Sequence, residues 1–473
     1  MLASAIPLVV DEAYLLAVTG NFQLSFFDHP PLAFWIVTGL QALLGPELSP
    51  LILRLPFIAL GTGSVWLVFR LTARLWDEWA GVWAASLFAV APFFLASSGS
   101  WLVPDGPLVF FLLLSADLLA RIYFDKRGGW GIWIALGIAF GLALLSKYHA
   151  LLFLLGAGAF LNSTTEGRAW LRRAEPWAAL AVSAIVFLPV IVWNAANGWV
   201  SFAFQFSRAS GETRFNPVNL LIGLVGEGGY LLPWTLIGLI AILVIGLVRR
   251  GDSRTWFLLA LGLPSILAFN GLALAGRTIL FHWPMPGWLF LFPLLGAWVA
   301  DWRSAALWAR NGFAVLSVLT VLVVAGLALA LAGDFRPLTD SPNFRWIAQS
   351  TSNWDGLRAP LETAMAAQGS PPFVASNSWI DGALVHAAIR PAEPVAVLSE
   401  ERRGFAYVLD QKTLIGRDAL IVTRSTQTAG VLARLAGRFA SFEPVASVGV
   451  PRPDEPVLTL DITLARVFLR PFD

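Results

Sequence analysis

Residues 130–162 read WGIWIALGIAFGLALLSKYHALLFLLGAGAFLN, two apolar runs separated by Lys147, Tyr148 and His149. A helix needs about 20 mostly apolar residues to cross the hydrocarbon core of a bilayer. Similar runs recur through the first part of the chain, and short polar loops separate them. We expect membrane spans near residues 50–69, 79–96, 107–124, 130–146, 149–162, 176–193, 226–248, 255–272, 286–300 and 312–332. The pattern therefore predicts an α-helical polytopic membrane protein.

The composition supports this class. Of the 473 residues, 57% are apolar and 13% are charged, with a mean hydropathy of +0.70. Because soluble domains carry roughly 25% charged residues, this composition excludes a disordered chain and a soluble enzyme. The chain contains no cysteine, which excludes disulfides, thiolate metal sites and cysteine nucleophiles. A net charge of +2 is too small to indicate a polyanionic partner, so we expect no nucleic acid.

The density of charged residues changes near residue 333. Charged residues make up 33 of the first 333 positions and 29 of the last 140. Short runs typical of strands lie in this last part, separated by polar segments that contain Gly and Pro. They are Pro372–Ala375, Pro394–Leu398, Ala406–Leu409, Ala419–Thr423 and Val457–Val467. We expect a membrane domain over residues 1–333 and a soluble α/β domain over residues 334–473, called the tail below.

Basic residues indicate the orientation. Thirteen of the 18 Lys and Arg residues before position 334 lie in alternate loops, and such loops face the cytoplasm under the positive-inside rule. The remaining loops and the tail are therefore expected outside the cytoplasm. Met1–Val10 would reach only about half of the bilayer core as a helix. We expect it to be the end of a first span that begins upstream, which gives ten or eleven spans in total.

Ionisable and aromatic polar side chains collect in the loops assigned to the outer face. They are Asp11, Glu12, Tyr14, Asp28, His29, Asp105, Lys147, Tyr148, His149, Arg277 and His282. Ionisable groups at a membrane boundary are costly, and they are candidates for function by default. Carboxylates serve where a hydroxyl must lose a proton. Lys147 and Arg277 are suited to phosphate oxygens.

Each motif also has a structural interpretation. Asp11 and Glu12 are then solvated charges at the interface, and Asp105 caps a helix. Lys147 then extends its charge to lipid phosphates. Asp117 and Arg121, four residues apart on one helix, form a neutralised pair.

A metal site is a further open question. His29, His149 and His282 with Asp11 or Asp28 lack any ligand spacing in the sequence. The metal ligands therefore stay unknown, and a divalent metal cofactor stays open.

Five motifs in a fixed order resemble a known family. They are Asp11-Glu12-Ala13-Tyr14, Phe27-Asp28-His29-Pro30-Pro31-Leu32, Pro104-Asp105-Gly106-Pro107-Leu108, Ser146-Lys147-Tyr148 and Trp193-Asn194-Ala195. Over roughly residues 1–330 the chain resembles bacterial members of glycosyltransferase family 39. These are similar to protein mannosyltransferases, to the aminoarabinose transferase of lipid A and to rhizobial lipid A galacturonosyltransferases. The resemblance implies the GT-C fold and a sugar donor carried on a polyprenyl phosphate.

The resemblance also implies roles for the outer residues. Asp11 is then the base or the acceptor-orienting group, Glu12 supports it, and Asp105 is the acid of the second loop. Lys147 binds the carrier phosphate, with Arg277, His29 and His282 in the same donor region. The residues assigned to the substrate are Asp28, Tyr14, Tyr148 and His149. His29 stands where aminoarabinose transferases have a lysine, so the resemblance does not imply the substrate of those enzymes.

This chemistry needs a base for the acceptor hydroxyl and cations for the departing lipid phosphate. We therefore expect inverting displacement at the outer face of a bacterial inner membrane, with Asp11, Asp105 and Lys147 converging in one pocket. The acceptor stays open between lipid A, another envelope glycan and a protein. Two alternatives are a lipid or sugar transporter, whose ionisable groups usually lie near the bilayer midplane, and a non-catalytic envelope-assembly protein.

Overall fold

In the computed structural model, the described residues are 6–20, 22–211, 213–248, 252–301, 307–332, 353–450 and 458–472. The chain divides into two compact units. The first unit comprises Met1–Asp28, Phe34–Leu53 and Val324–Asp473, and the second comprises His29–Ala33 and Arg54–Val323. The domain boundary expected at residue 333 stays a prediction, since residues 333–352 lie outside the described ranges.

Helices make up the second unit. They are Pro50–Leu75 from Arg54 onward, Glu78–Val90, Ser98–Ser100, Asp105–Tyr123, Trp130–Ser146, Ala150–Ser163, Thr165–Leu171, Ala174–Ala196, Val200–Ala209, Pro217–Leu231, Pro233–Val248, Ser253–Leu274, Met285–Trp288, Phe292–Ala300 and Leu307–Ala332 up to Val323. A π-helical turn covers Phe93–Ser97, and a 3₁₀ turn covers Leu289–Leu291.

By length and composition, four of the described helices can cross a membrane, or up to six if each of two sharply bent helix pairs is one span. Other expected spans, such as Trp130–Ser146, are shorter apolar helices of 10–17 residues. The prediction of a helical, multi-pass membrane protein is confirmed.

Small residues let two of these helices approach closely. A Cβ atom at Gly137 would lie 2.4 Å from the carbonyl oxygen of Ala179, and one at Gly141 would lie 2.6 Å from the side chain of Val186. Gly137 and Gly141 are four residues apart and share one face of Trp130–Ser146. Such spacing of small residues is typical of tightly packed membrane helices. The close contact fixes the helix whose end carries Lys147.

Substitution of Gly137 by valine is expected to destabilise this contact. Overpacking of a tight site costs about 1–3 kcal/mol, so the unfolding temperature of the detergent-solubilised protein should fall. Gly131→Val is the matched control, because Gly131 lies on the same helix with no atom within 4 Å of its added Cβ. Equal effects of the two substitutions would show that helix propensity, and not the helix contact, sets the result.

The first unit contains a five-stranded sheet. Its strands are β1 (Phe373–Ser376), β2 (Ala396–Val397), β3 (Ala419–Arg424), β4 (Phe439–Gly449) and β5 (Thr459–Phe468), in the order β2-β1-β3-β5-β4. β1 pairs in parallel with β2 and β3, and β5 pairs antiparallel to β3 and β4. The helices of this unit are Val10–Val18, Leu32–Leu44 from Phe34 onward, Arg358–Ala366, Trp379–Ile389 and Thr428–Leu435. Three 3₁₀ turns cover Asp355–Leu357, Arg403–Tyr407 and Gln411–Leu414. The predicted α/β character of the tail is confirmed.

Two details of the tail differ from the prediction. The strand expected at Ala406–Leu409 is wrong, because Arg403–Tyr407 forms a 3₁₀ helix. A four-residue apolar run is too short for its periodicity to separate strand from helix. β4 was not predicted, since it is mostly exposed and its register shifts after Pro444, as is usual for an edge strand.

The N-terminal expectation falls partly outside the described residues. Residues 1–5 lie there, and residues 6–9 are not helical. The first described helix begins at Val10 and packs against Trp379–Ile389 within the first unit.

Candidate functional site

A buried ion pair lies at the ends of two neighbouring helices of the second unit. Nζ of Lys147 donates to both carboxylate oxygens of Asp105, at 2.9 and 3.0 Å. Asp105 begins Asp105–Tyr123, and Lys147 directly follows Trp130–Ser146. The helices pack together and run in opposite directions, so the start of one meets the end of the other. Both helix dipoles favour the charge that their end carries.

Because the pair is buried, each of its charges depends on the other for compensation. Asp105 is 6% exposed and Lys147 is 4% exposed. Removing one partner from a buried pair strands the other charge and typically costs about 3–5 kcal/mol. The N-cap position belongs to Pro104, and the Asp105 carboxylate is engaged by Lys147. The geometry therefore matches neither helix capping by Asp105 nor a Lys147 charge solvated at the lipid surface.

Two half-buried histidines lie in the electrostatic field of this pair. Burial, together with the positive charge of Lys147, lowers the pKa of His29 to about 3 and that of His282 to about 4. The charge of Arg208 acts in the same direction on both, while Asp105 opposes the shift. Both imidazoles are therefore neutral near neutral pH. Nδ1 of His29 is buried without a hydrogen-bond partner among the described residues, so it is available to a ligand.

Aromatic rings flank these polar groups. The His149 ring stacks on Phe269 with 4.8 Å between centroids and lies 6.2 Å from Trp283. The Arg208 guanidinium lies 4.6 Å from the centre of the Trp283 ring. Arg208 was not among the predicted site residues. The available indication was that it is one of the few basic residues assigned to the outer loops.

Tyr148 and Arg277 contact other parts of the second unit. The Tyr148 hydroxyl lies 2.6 Å from Oγ of Ser201, and its ring packs against Phe202. The Arg277 guanidinium lies against Gly211, whose φ is 121°. Nε and Nη2 of Arg277 are buried and have no hydrogen-bond partner among the described residues. Among the described residues, the carboxylate of Asp105 is paired with Lys147 and not with Arg277.

A second group of predicted residues lies in the first unit. The Tyr14 hydroxyl donates to Oδ1 of Asp28 at 3.3 Å and accepts from the N–H of Gly404 at 2.9 Å. Burial raises the pKa of Asp28 to about 6, although the nearby charge of Arg403 lowers it. Burial also raises the pKa of Tyr14. Asp28 therefore titrates close to neutral pH. Arg403 and Gly404 belong to the tail, and nothing in the sequence indicated their part here.

Asp11 and Glu12 occupy different environments on Val10–Val18. Asp11 is exposed, and its charge contributes to the raised pKa of Asp28. Glu12 is fully buried, and its Oε2 accepts a hydrogen bond from the Val9 N–H at 3.1 Å. This is the contact that a capping-box glutamate makes at a helix start. Glu12 thus has a structural function whether or not it also supports Asp11.

Two further expectations concern ionic groups. The predicted pair of Asp117 and Arg121 is confirmed at 3.2 Å, and Arg70 and Arg74 join it at 3.1 and 3.2 Å. Within the described ranges, no group of three or more His, Asp or Glu side chains is arranged to hold a metal ion.

The lowered pKa values of His29 and His282 predict a pH dependence of stability. In the unfolded chain both histidines bind protons near pH 6.5, whereas in the folded chain His29 binds one only near pH 3 and His282 only near pH 4. The free energy of unfolding is therefore independent of these protons above about pH 6.5. It decreases as the pH falls below that value, because the unfolded chain then binds more protons. His282→Gln should lose less in unfolding temperature than the unsubstituted protein between about pH 7 and pH 4. Parallel curves would contradict the low pKa of His282.

Comparison with known proteins adds independent observations. A family model described as dolichyl-phosphate-mannose-protein mannosyltransferase matches residues 28–193. The lipid A galacturonosyltransferase RgtD of Rhizobium johnstonii is 24% identical over 338 residues, which cover 71% of this chain and 68% of that protein.

The crystal structure of ArnT from Cupriavidus metallidurans in the apo state has a TM-score of 0.67 at 14% identity, covering 98% of this chain and 95% of that one. Its complex with undecaprenyl phosphate has a TM-score of 0.65 at the same identity and coverage. The oligosaccharyltransferase AglB from Archaeoglobus fulgidus has a TM-score of 0.51 at 12% identity, covering 97% and 72%. The resemblance of this chain to glycosyltransferase family 39, and the GT-C fold that the resemblance implied, are therefore confirmed by the family model, the relative and the shared fold.

Proposed function

We propose that the chain transfers a sugar from a polyprenyl-phosphate carrier to an extracytoplasmic acceptor. The observation that carries this proposal is the buried pair of Lys147 and Asp105, with Arg208 and two neutral imidazoles in its field. A phosphate group needs fixed cations and hydrogen-bond donors in a place of low dielectric. The complex of ArnT with undecaprenyl phosphate supports the same type of donor.

Donor binding is assigned to the second unit. Lys147 would contact the carrier phosphate. The carboxylate of Asp105 would hold the Lys147 side chain in place and partly neutralise its positive charge. His29 and His282 would donate hydrogen bonds as neutral imidazoles. Arg277 would add a cation whose Nε and Nη2 have no hydrogen-bond partner among the described residues. When the phosphate leaves as an anion, these donors stabilise the charge that develops on its oxygen.

Acceptor activation is assigned to Asp11 and the residues beside it. Asp11 would take the proton of the acceptor hydroxyl, and Glu12 would support it. The acceptor oxygen forms a bond to the anomeric carbon while the bond from this carbon to the carrier phosphate breaks. Polyprenyl phosphate leaves, and the configuration inverts. The residues assigned to substrate contacts are Asp28, Tyr14, Tyr148 and His149.

For the acceptor, a lipid of the bacterial envelope is favoured over another glycan or a protein, because the relative from Rhizobium is a lipid A transferase. We place the chain in the bacterial inner membrane, with the site and the tail on the outer side. This orientation is supported by the distribution of basic residues.

A lipid or sugar transporter is the second candidate. Two helix pairs are bent by 83° and 112° at short breaks, and broken helices are common at transporter sites. The pairs are Glu78–Val90 with Phe93–Ser100, and Pro217–Leu231 with Pro233–Val248.

The test of the proposal is transfer by the purified chain of a radiolabelled sugar from a polyprenyl-phosphate donor to envelope lipids. The proposal predicts labelled product and free polyprenyl phosphate. Mass spectrometry of envelope lipids from a deletion strain would then identify the acceptor. A transporter would move the donor across a vesicle membrane and leave the bond between sugar and phosphate intact.

A further inference from the structure

We propose that Arg403 and Gly404 of the tail are positioning residues that orient Tyr14 and keep the carboxyl group of Asp28 ready to bind the acceptor. The inference deepens the proposed function, because it rests on the acceptor role assigned to Asp28. All four residues belong to the first unit. The tail would thus contribute two residues that orient the acceptor-binding side chains.

Gly404 directs the hydroxyl group of Tyr14. Its N–H donates to Oη of Tyr14 at 2.9 Å. Because this oxygen accepts from Gly404, its own hydrogen is free to point to Oδ1 of Asp28, 3.3 Å away. A Cβ at position 404 would lie 2.5 Å from Oη of Tyr14 and 3.1 Å from Cγ1 of Val18. Only glycine allows the backbone to approach this closely.

Arg403 is held in an unusual backbone conformation beside Trp379, a neighbour of Tyr14. Its φ of 48° lies in the left-handed region, which is unfavourable for a residue with a side chain. The guanidinium lies 3.8 Å from the centre of the Trp379 ring, and Nε lies 3.3 Å from Oε1 of Glu401. The Trp379 ring in turn meets Tyr14 edge-on at 5.4 Å. Its neighbours therefore fix the position of the Arg403 charge.

The charged and titratable groups that act on Asp28 oppose one another. Burial raises the pKa of Asp28 to about 6, and the negative charge of Asp11 acts in the same direction. The charge of Arg403 and the hydroxyl of Tyr14 lower it. Without Arg403, more of the Asp28 carboxyl would be protonated near neutral pH. A protonated Asp28 accepts fewer hydrogen bonds from a sugar or lipid hydroxyl.

The test measures the ionisation of Asp28 without using activity. Unfolding temperatures of the detergent-solubilised full chain are compared with those of Asp28→Asn across the pH range. Because the folded pKa is raised, the protein with Asp28 loses stability relative to the Asn variant from about pH 4, where the unfolded carboxyl ionises, up to the folded pKa. Above the folded pKa, the difference in unfolding temperature between the two proteins is constant. The highest pH at which this difference still changes, called the upper limit below, therefore reports the pKa of Asp28.

The same comparison is then made in an Arg403→Gln background. The upper limit, near pH 6 in the unsubstituted protein, should move up by about one pH unit. Arg403→Lys should return the upper limit most of the way to its original pH, because lysine keeps the positive charge. Arg434→Gln removes an exposed charge from the same tail and should leave the upper limit unchanged. Tyr14→Phe should also raise the upper limit, because it removes the hydroxyl that donates to Asp28. Gly404→Ala should act in the same direction, because its added Cβ would displace the Tyr14 hydroxyl from Asp28. An upper limit unchanged in Arg403→Gln would overturn the inference.

Sugar transfer by the same variants separates this inference from the proposed function. The acid limb of transfer should follow the measured pKa of Asp28 in each variant. A shifted pKa in a protein without transfer activity would refute the proposed function and support the positioning by Arg403. Intact transfer in Arg403→Gln with an unshifted pKa of Asp28 would support the proposed function and refute the positioning by Arg403.

Discussion

Replacement of Lys147 by alanine is expected to abolish sugar transfer and to destabilise the protein. The destabilisation follows because Asp105, 6% exposed, would keep a buried charge without its partner, at a cost of about 3–5 kcal/mol. The loss of transfer follows because the departing phosphate would lack the cation that we assign to it, which we expect to cost at least about 100-fold in rate. Unfolding temperature and initial transfer rate measure the two effects separately.

A double variant distinguishes the structural effect from the chemical one. Lys147→Gln combined with Asp105→Asn replaces the ion pair by two neutral amides that can hydrogen-bond to each other. Most of the stability should return, because no buried charge is left unpaired, while transfer should stay lost. Lys126→Gln is the control lysine, since Lys126 is 62% exposed and pairs with Glu166. Recovery of transfer in the double variant would reduce the pair to a structural element.

Replacement of Asp11 by asparagine is expected to stop transfer and leave the fold intact. The side chain is exposed, so its loss should change the unfolding temperature little. Without a base, the acceptor hydroxyl keeps its proton, and the rate should fall by about 10²–10⁴. The measurement is the initial rate at a saturating donor concentration, with binding of undecaprenyl phosphate as a check on the donor side. Transfer at the normal rate would remove Asp11 from the mechanism.

Glu12→Gln is the matched comparison for Asp11→Asn. The side-chain oxygen of glutamine can still accept the Val9 N–H that Glu12 accepts, so the helix start should remain stable. If Glu12 only supports Asp11, transfer should fall less than in Asp11→Asn. A larger loss in Glu12→Gln would exchange the roles of the two carboxylates.

Much of the membrane part was predictable because hydropathy depends on local sequence. The apolar runs on either side of Lys147 became helices 130–146 and 150–163, with the predicted turn between them. The ordered motifs pointed to Asp105 and Lys147, which are 42 residues apart and share two hydrogen bonds. The convergence of Asp11 with this pair stays a prediction, since Asp11 belongs to the other unit.

Contacts between distant segments could not be predicted in the same way. Gly404 meets Tyr14 across 390 positions of sequence, and a backbone N–H leaves no mark in the residue pattern. The part played by Arg403 depends on a left-handed backbone and on stacking over Trp379, neither of which periodicity reports. The hydrogen bond of Glu12 at the helix start could have been predicted, because a glutamate at the third helical position often accepts the backbone N–H of the N-cap residue. The supporting role assigned to Glu12 in the chemistry stays a prediction.

Binding of undecaprenyl phosphate to the purified protein tests the donor assignment most directly. The unsubstituted chain and Lys126→Gln should bind this lipid equally, and the folded double variant of Lys147 and Asp105 should bind it at least about tenfold more weakly. Equal affinity of the double variant, or no binding by the unsubstituted chain, would contradict the assignment of Lys147 to the carrier phosphate.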